Sequence, residues 1–214
     1  MKTLDEIEIS IPGATLFGRL DVAQDCSGIV IFAHGSGSGR HSPRNRMVAQ
    51  ELRDAGFGTL LFDLLTADEE RIDDVTAQLR FDIEFLARRL VSVTDWLAST
   101  HAKTLPLGYF GASTGAAAAL VAAADCQHPI AAVVSRGGRP DLAWRALPAV
   151  TSPTLLLVGG LDGEVIELNR RALAQLTCEK RLVIIEGATH LFPEPGALAQ
   201  VCEQARQWFA EYFV

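Results

Sequence analysis

Apolar and polar positions alternate with a period of two in residues 7–11 and 14–22, with Pro12 and Gly13 between them. Alternate side chains of a strand face opposite sides, so this pattern predicts a β-hairpin at one edge of a sheet. Further along, the rhythm changes to short unbroken apolar runs at residues 28–33, 58–62, 105–110, 130–134, 154–158 and 181–185. Each run has the length of a strand covered on both faces, as in a parallel sheet.

The stretches between the runs have helical spacing. Leu79, Ile83, Leu86, Leu90, Val93 and Leu97 recur at steps of three and four, and Arg80, Glu84, Arg88 and Asp95 fall off that stripe. Leu198, Val201, Ala205, Trp208 and Tyr212 repeat the pattern near the carboxyl end. Both are amphipathic helices by this spacing. Pro43 suits the first turn of a helix over Val48, Leu52 and Ala55, which Gly56 can end. Strand–helix alternation of this kind predicts an α/β sheet with helices on both faces. No repeat, linker or long insertion interrupts it, so residues 1–214 read as one domain without a separate lid domain.

Composition narrows the function classes. The 214 residues are 49% hydrophobic and 21% charged, a balance that can bury one sizeable core. The net charge of −7 argues against a nucleic-acid partner, which wants a basic footprint. No apolar run is long enough to span a bilayer, and the opening MKTLDEIEIS lacks the apolar core of a secretory signal. Cys26, Cys126, Cys178 and Cys202 are scattered, with no metal-ligand spacing. The expectation is a cytoplasmic protein with reduced thiols, no metal and no membrane association.

The candidate chemistry starts at Gly111-Ala112-Ser113-Thr114-Gly115, which follows a strand-like run and precedes an alanine-rich helix. This is a G-x-S-x-G nucleophile turn in the context it requires. The turn is tight enough to need small neighbours, and it lifts the Ser113 hydroxyl over a helix amino terminus, whose free N–H groups suit a developing oxyanion. A serine hydroxyl needs a base, and the base needs an orienting acid. The strand at 154–158 leads into Gly159-Gly160-Leu161-Asp162-Gly163, and the next leads into Glu186-Gly187-Ala188-Thr189-His190. Asp162 as acid and His190 as base thus emerge on the same sheet edge as Ser113. Glu164 and Asp141 are the substitutes for the acid.

After the run at 28–33 comes His34-Gly35-Ser36-Gly37-Ser38-Gly39-Arg40. A loop of this kind supplies a second oxyanion donor. The first donor is expected to be the Thr114 N–H, the second that of Ser36, with Gly37 next; His34 is read as a structural hydrogen-bonding residue. A phosphate-binding loop is the rival reading, but neither G-x-x-x-x-G-K-[ST] nor a strand–helix G-x-G-x-x-G is present.

His34-Gly35, the segment 111–115, Asp162 and His190 together resemble the α/β-hydrolase superfamily, and within it the small, lidless dienelactone-hydrolase-like group. The resemblance covers nearly the whole chain. It implies an α/β-hydrolase fold, a mostly parallel sheet of about eight strands covered by helices on both faces. It also implies hydrolysis without a metal or organic cofactor. Dienelactone hydrolases carry cysteine where this chain carries Ser113, which favours a serine esterase mechanism over the dienelactone substrate. The expected function is therefore cleavage of an ester-like bond in a small molecule through Ser113, His190 and Asp162. Acyl transfer to an alcohol or peroxide by the same groups is the alternative, and a ligand-binding protein on the same scaffold is another.

Arg136-Gly137-Gly138-Arg139-Pro140, after the run at 130–134, invites two readings: Arg136 or Arg139 grips a substrate carboxylate or phosphate, or they form a salt bridge among loops. Arg40 and Arg44 invite the same thought, and Gly37 is a further candidate for substrate contact. Residues 64–77 could cover the site, and their acidic side chains Asp68, Glu69, Glu70, Asp73 and Asp74 read as a solvated face rather than a metal site.

Overall fold

The computed structural model describes residues 2–213. Strands β1 (Lys2–Ile11) and β2 (Ala14–Val22) form the expected antiparallel hairpin. Strands β3 (Ile29–Ala33), β4 (Gly58–Phe62), β5 (Leu107–Ala112), β6 (Ile130–Arg136), β7 (Thr154–Gly159) and β8 (Lys180–Ile185) join them in one eight-stranded sheet. Its order is β1-β2-β4-β3-β5-β6-β7-β8, antiparallel at the β1–β2 and β2–β4 pairs and parallel elsewhere. The fold is thus the eight-stranded, mostly parallel sheet that the resemblance implies.

The unbroken apolar runs are explained by two helical layers. Helices α1 (Pro43–Asp54) and α6 (Ala197–Tyr212) cover one face, where Val48 and Leu52 meet Val30 and Phe32, and Trp208 and Phe209 are buried among the strands. Helices α3 (Ile83–Thr100) and α4 (Thr114–Asp125) cover the other, where Leu90, Val93 and Leu97 pack with Ile29, Ile31 and Tyr109. Successive residues of β3 therefore enter opposite cores, which a strand's two-residue period requires.

Two expectations change. The stripe from Leu79 to Leu97 is not one helix. Leu79–Phe81 forms a single 3-10 turn, and Asp82 caps α3 by accepting the Phe85 N–H at 3.0 Å. A side-chain oxygen offering itself to an orphan N–H outcompetes continued helix. The acidic stretch is also not simply a solvated face. Helix α2 (Ala67–Thr76) starts with a capping box between Thr66 and Glu69, and Asp73 is buried. The Asp73 carboxylate accepts the Leu79 and Arg80 N–H groups and pairs with the Arg80 guanidinium, which holds it below the ordinary carboxylate range despite its burial.

Candidate active site

The Ser113 turn is dictated by what surrounds it. Ser113 has φ 51° and ψ −121°, a conformation rare for a residue with a side chain. It is held from both sides: its N–H donates to the Arg136 carbonyl, and its carbonyl accepts the Ala116 and Arg139 N–H groups. A Cβ on Gly111 would lie 2.4 Å from Ala116 Cα, and one on Gly115 would lie 2.2 Å from the Ala33 carbonyl oxygen. Glycine at these positions lets α4 press against β5 and β3, and the wholly buried Ala116–Ala119 segment continues that close contact.

Asp162 and His190 come together as the sequence placed them, on neighbouring loops after β7 and β8. His190 Nδ1 donates to Asp162 Oδ2 at 2.6 Å. A carboxylate only accepts, so Nδ1 carries a proton in this bond, and in the neutral ring Nε2 is the free acceptor. The two loops are tied by the Leu161 N–H to the Ala188 carbonyl at 2.9 Å. The His190 loop is clamped by Glu194, which accepts the Thr189 N–H at 3.1 Å and the Thr189 hydroxyl at 2.6 Å. Those bonds hold the Glu194 carboxyl below its ordinary range. Below His190, Gly137 sits so close that an added Cβ would be 3.0 Å from the His190 carbonyl oxygen. The loop carrying Gly137 is fixed by buried Asn169, whose amide donates to the Gly138 carbonyl at 3.0 Å. Neither Glu194 nor Asn169 had been singled out from sequence. Of the substitute acids, Asp141 is taken by Arg139 in a two-pronged pair at 2.8 Å, and Glu164 lies exposed on α5 (Gly163–Gln175).

On the other side of Ser113, the Ser36 N–H donates to Thr114 Oγ1 at 2.9 Å. The bond ties the β3 loop to the first turn of α4. Gly37, at φ 66°, lines with Ser36 and Thr114 a cavity of about 40 Å³ that α2 borders through Glu70 and Asp73. Ser113, Asp162 and His190 do not line it. Residues 64–77 thus wall this cavity.

His34 is a hydrogen-bonding residue of the loop. Its Nδ1 donates to the Gly35 carbonyl at 3.1 Å and its Nε2 accepts the Leu64 N–H at 3.0 Å, which fixes a neutral ring. Burial holds its pKa below the ordinary 6.5. As pH falls below about 6.5, the unfolded chain takes up a proton that the folded state resists, so stability is lost on acidification, at most about 1.4 kcal/mol per pH unit. His34→Gln keeps an acceptor for Leu64 without a titration. Denaturant unfolding at pH 7.5 and 5.5 should show a smaller acid loss for the variant; equal losses would exclude His34 as a source.

The arginines differ in their partners. Arg40 pairs with Asp63 and Glu6. Arg139 makes a loop salt bridge, but among the described residues Arg136 does not: it is 7% exposed and its one side-chain hydrogen bond there is to Asn45.

No family model matches the chain. A solved dienelactone hydrolase from Anabaena variabilis is 57% identical, with a TM-score of 0.95 over 97% of this chain and 96% of that one. An esterase from Pyrococcus furiosus shares the fold at 17% identity, with a TM-score of 0.77 over 98% of this chain and 91% of that one. Proteins of two Mycobacterium tuberculosis strains, carrying the provisional name phosphoribosyl transferase, are 54% identical over 97% of this chain. The chain spans about half the length of these curated relatives, 46%. No helix among the described residues is long and apolar enough to cross a membrane.

Proposed function

Because the chain belongs to the dienelactone hydrolase family of α/β-hydrolases, we propose that it cleaves small-molecule esters through a Ser113–His190–Asp162 triad and an acyl-enzyme. The observation that supports this reading is the 2.6 Å bond from His190 Nδ1 to Asp162 Oδ2, with Ser113 on a strained turn after another strand of the same sheet. In this mechanism His190 Nε2 takes the Ser113 proton as the hydroxyl attacks the ester carbonyl. Asp162 fixes the ring and stabilises its charged form. His190 then delivers the proton to the leaving alcohol, and afterwards draws one from the water that releases the acid. The Thr114 N–H, at the amino end of α4, is the first oxyanion donor. The Ser36 N–H is the second, and an oxyanion must compete there with Thr114 Oγ1. Leu161 and Leu191, 67% and 47% exposed beside the acid and the base, offer apolar contact to a neutral ester in an open site.

An acyl-enzyme makes a specific demand. Two esters sharing an acyl group but differing in leaving group, turned over in the presence of methanol, must give the same ratio of acid to methyl ester. That ratio also measures hydrolysis against acyl transfer. A ratio that changes with the leaving group would contradict a common intermediate.

A further inference from the structure

Arg136 ends β6 beside the Ser113 turn, pairing with Ala112 across the sheet. Two residues earlier, Val134 lies in the core beneath α1 and α6, and the Arg136 side chain follows it into that layer. Its Nη2 reaches Asn45 Oδ1 on α1 at 3.5 Å, a bond at the limit of length. Nε and Nη1 are buried and without a partner among the described residues. The charges acting on it are Arg44, of like sign, and Cys202, whose thiol burial pushes up to about 11 and so keeps neutral. Burial, reinforced by Arg44, brings Arg136 down to about 10, which leaves it protonated at neutral pH. Arg44, in the first turn of α1, also has a buried Nε without a partner among the described residues. Arg44 acts on Arg136 near the positive end of a 12-residue helix, and among the described residues neither has a carboxylate partner.

Buried cations are ordinarily paired, and a buried guanidinium left without a counter-charge is one that an anion can satisfy. Guanidinium nitrogens present a fork that carboxylate and phosphate oxygens accept two at a time. We propose that Arg136 and Arg44 form an oxyanion-binding site at the amino end of α1, next to the Ser113 turn, which takes a carboxylate or phosphate group. The group arrives either as a free ion or as the ionised end of an ester; the second source rests on the hydrolase reading above.

The test compares thermal midpoints in about 50 mM sodium phosphate and in sodium chloride of equal ionic strength, for wild type and for Arg136→Met. Methionine fills the volume without the charge, so the variant should fold; Arg44→Met, at a partly exposed position, serves as the second variant. Phosphate should raise the wild-type midpoint by about 3 °C or more over chloride, and neither variant should respond. No selective rise in wild type, or an equal rise in all three proteins, would overturn the site. The source is read from kcat/KM for a hemisuccinate ester relative to its methyl-capped counterpart. A drop of tenfold or more in that preference in Arg136→Met assigns the anion to the substrate. An unaltered preference with a lost phosphate response assigns it to a free ion. Fluorophosphonate labelling of wild type is read separately: a phosphate response without labelling would retain the anion site and reject the hydrolase reading.

Discussion

Replacing Ser113 by alanine is expected to lower kcat by about 10⁴- to 10⁶-fold while leaving KM within a few-fold. The substitution removes one oxygen. It leaves the proposed oxyanion donors and the apolar surroundings in place, so ground-state binding survives while the covalent route is lost. Alanine should also hold the turn. The Ser113 N–H and carbonyl bonds to Arg136, Ala116 and Arg139 are made by the backbone, and a far-ultraviolet spectrum and thermal midpoint close to wild type would show that the loss is chemical. Steady-state turnover of a short-chain ester checks it; near-normal kcat in the variant would move the nucleophile to another residue.

Gly115→Ala is expected to be the most damaging single-methyl change in the protein. The added Cβ would lie 2.2 Å from the Ala33 carbonyl oxygen and 2.4 Å from that of His34. Both are backbone atoms at the end of β3, so no side chain can swing aside, and α4 must lift from the sheet by about 1 Å to reach ordinary contact. A loss of about 3 kcal/mol or more follows, roughly 6–12 °C in thermal midpoint for a chain of this length. The same displacement pulls Thr114 from Ser36 and separates the two proposed oxyanion donors, so turnover of the folded fraction should drop at least about a hundredfold. Gly163→Ala, where an added Cβ meets nothing within 4 Å, is the control and should be neutral or slightly stabilising. A Gly115→Ala midpoint within a degree of wild type would contradict this account of the turn.

The strands were legible because a strand buried on both faces must be apolar at every position, and β4 and the hairpin strand β2 appear within the expected limits. The Ser113 turn, Asp162 and His190 were legible as a pattern of small residues and strand ends, since those constraints are local. What escaped the sequence depends on partners far along the chain. Nothing in the spacing of Asp73 distinguishes it from its exposed neighbours; its burial follows from Arg80 folding back on it. The split of the Leu79–Leu97 stripe turns on one capping carboxylate, Asp82, within an otherwise continuous helical pattern. The Ser36–Thr114 bond joins residues 78 positions apart. The T-x-x-E spacing of Thr66 and Glu69 was a readable start signal for α2, masked by the run of acidic residues around it. Arg136 was visible as an arginine at a strand end, but its lack of a counter-charge among the described residues is a property of the packed α1–α6 layer.

The central claim, a serine activated by the His190–Asp162 pair, is tested most directly by intact-mass measurement after incubation with a fluorophosphonate. Wild type should gain the mass of one adduct, mapping to the peptide that contains Ser113. Ser113→Ala should gain none, and His190→Ala should label at least a hundredfold more slowly. Folded wild type that gains no adduct, or a Ser113→Ala variant that labels like wild type, would contradict it.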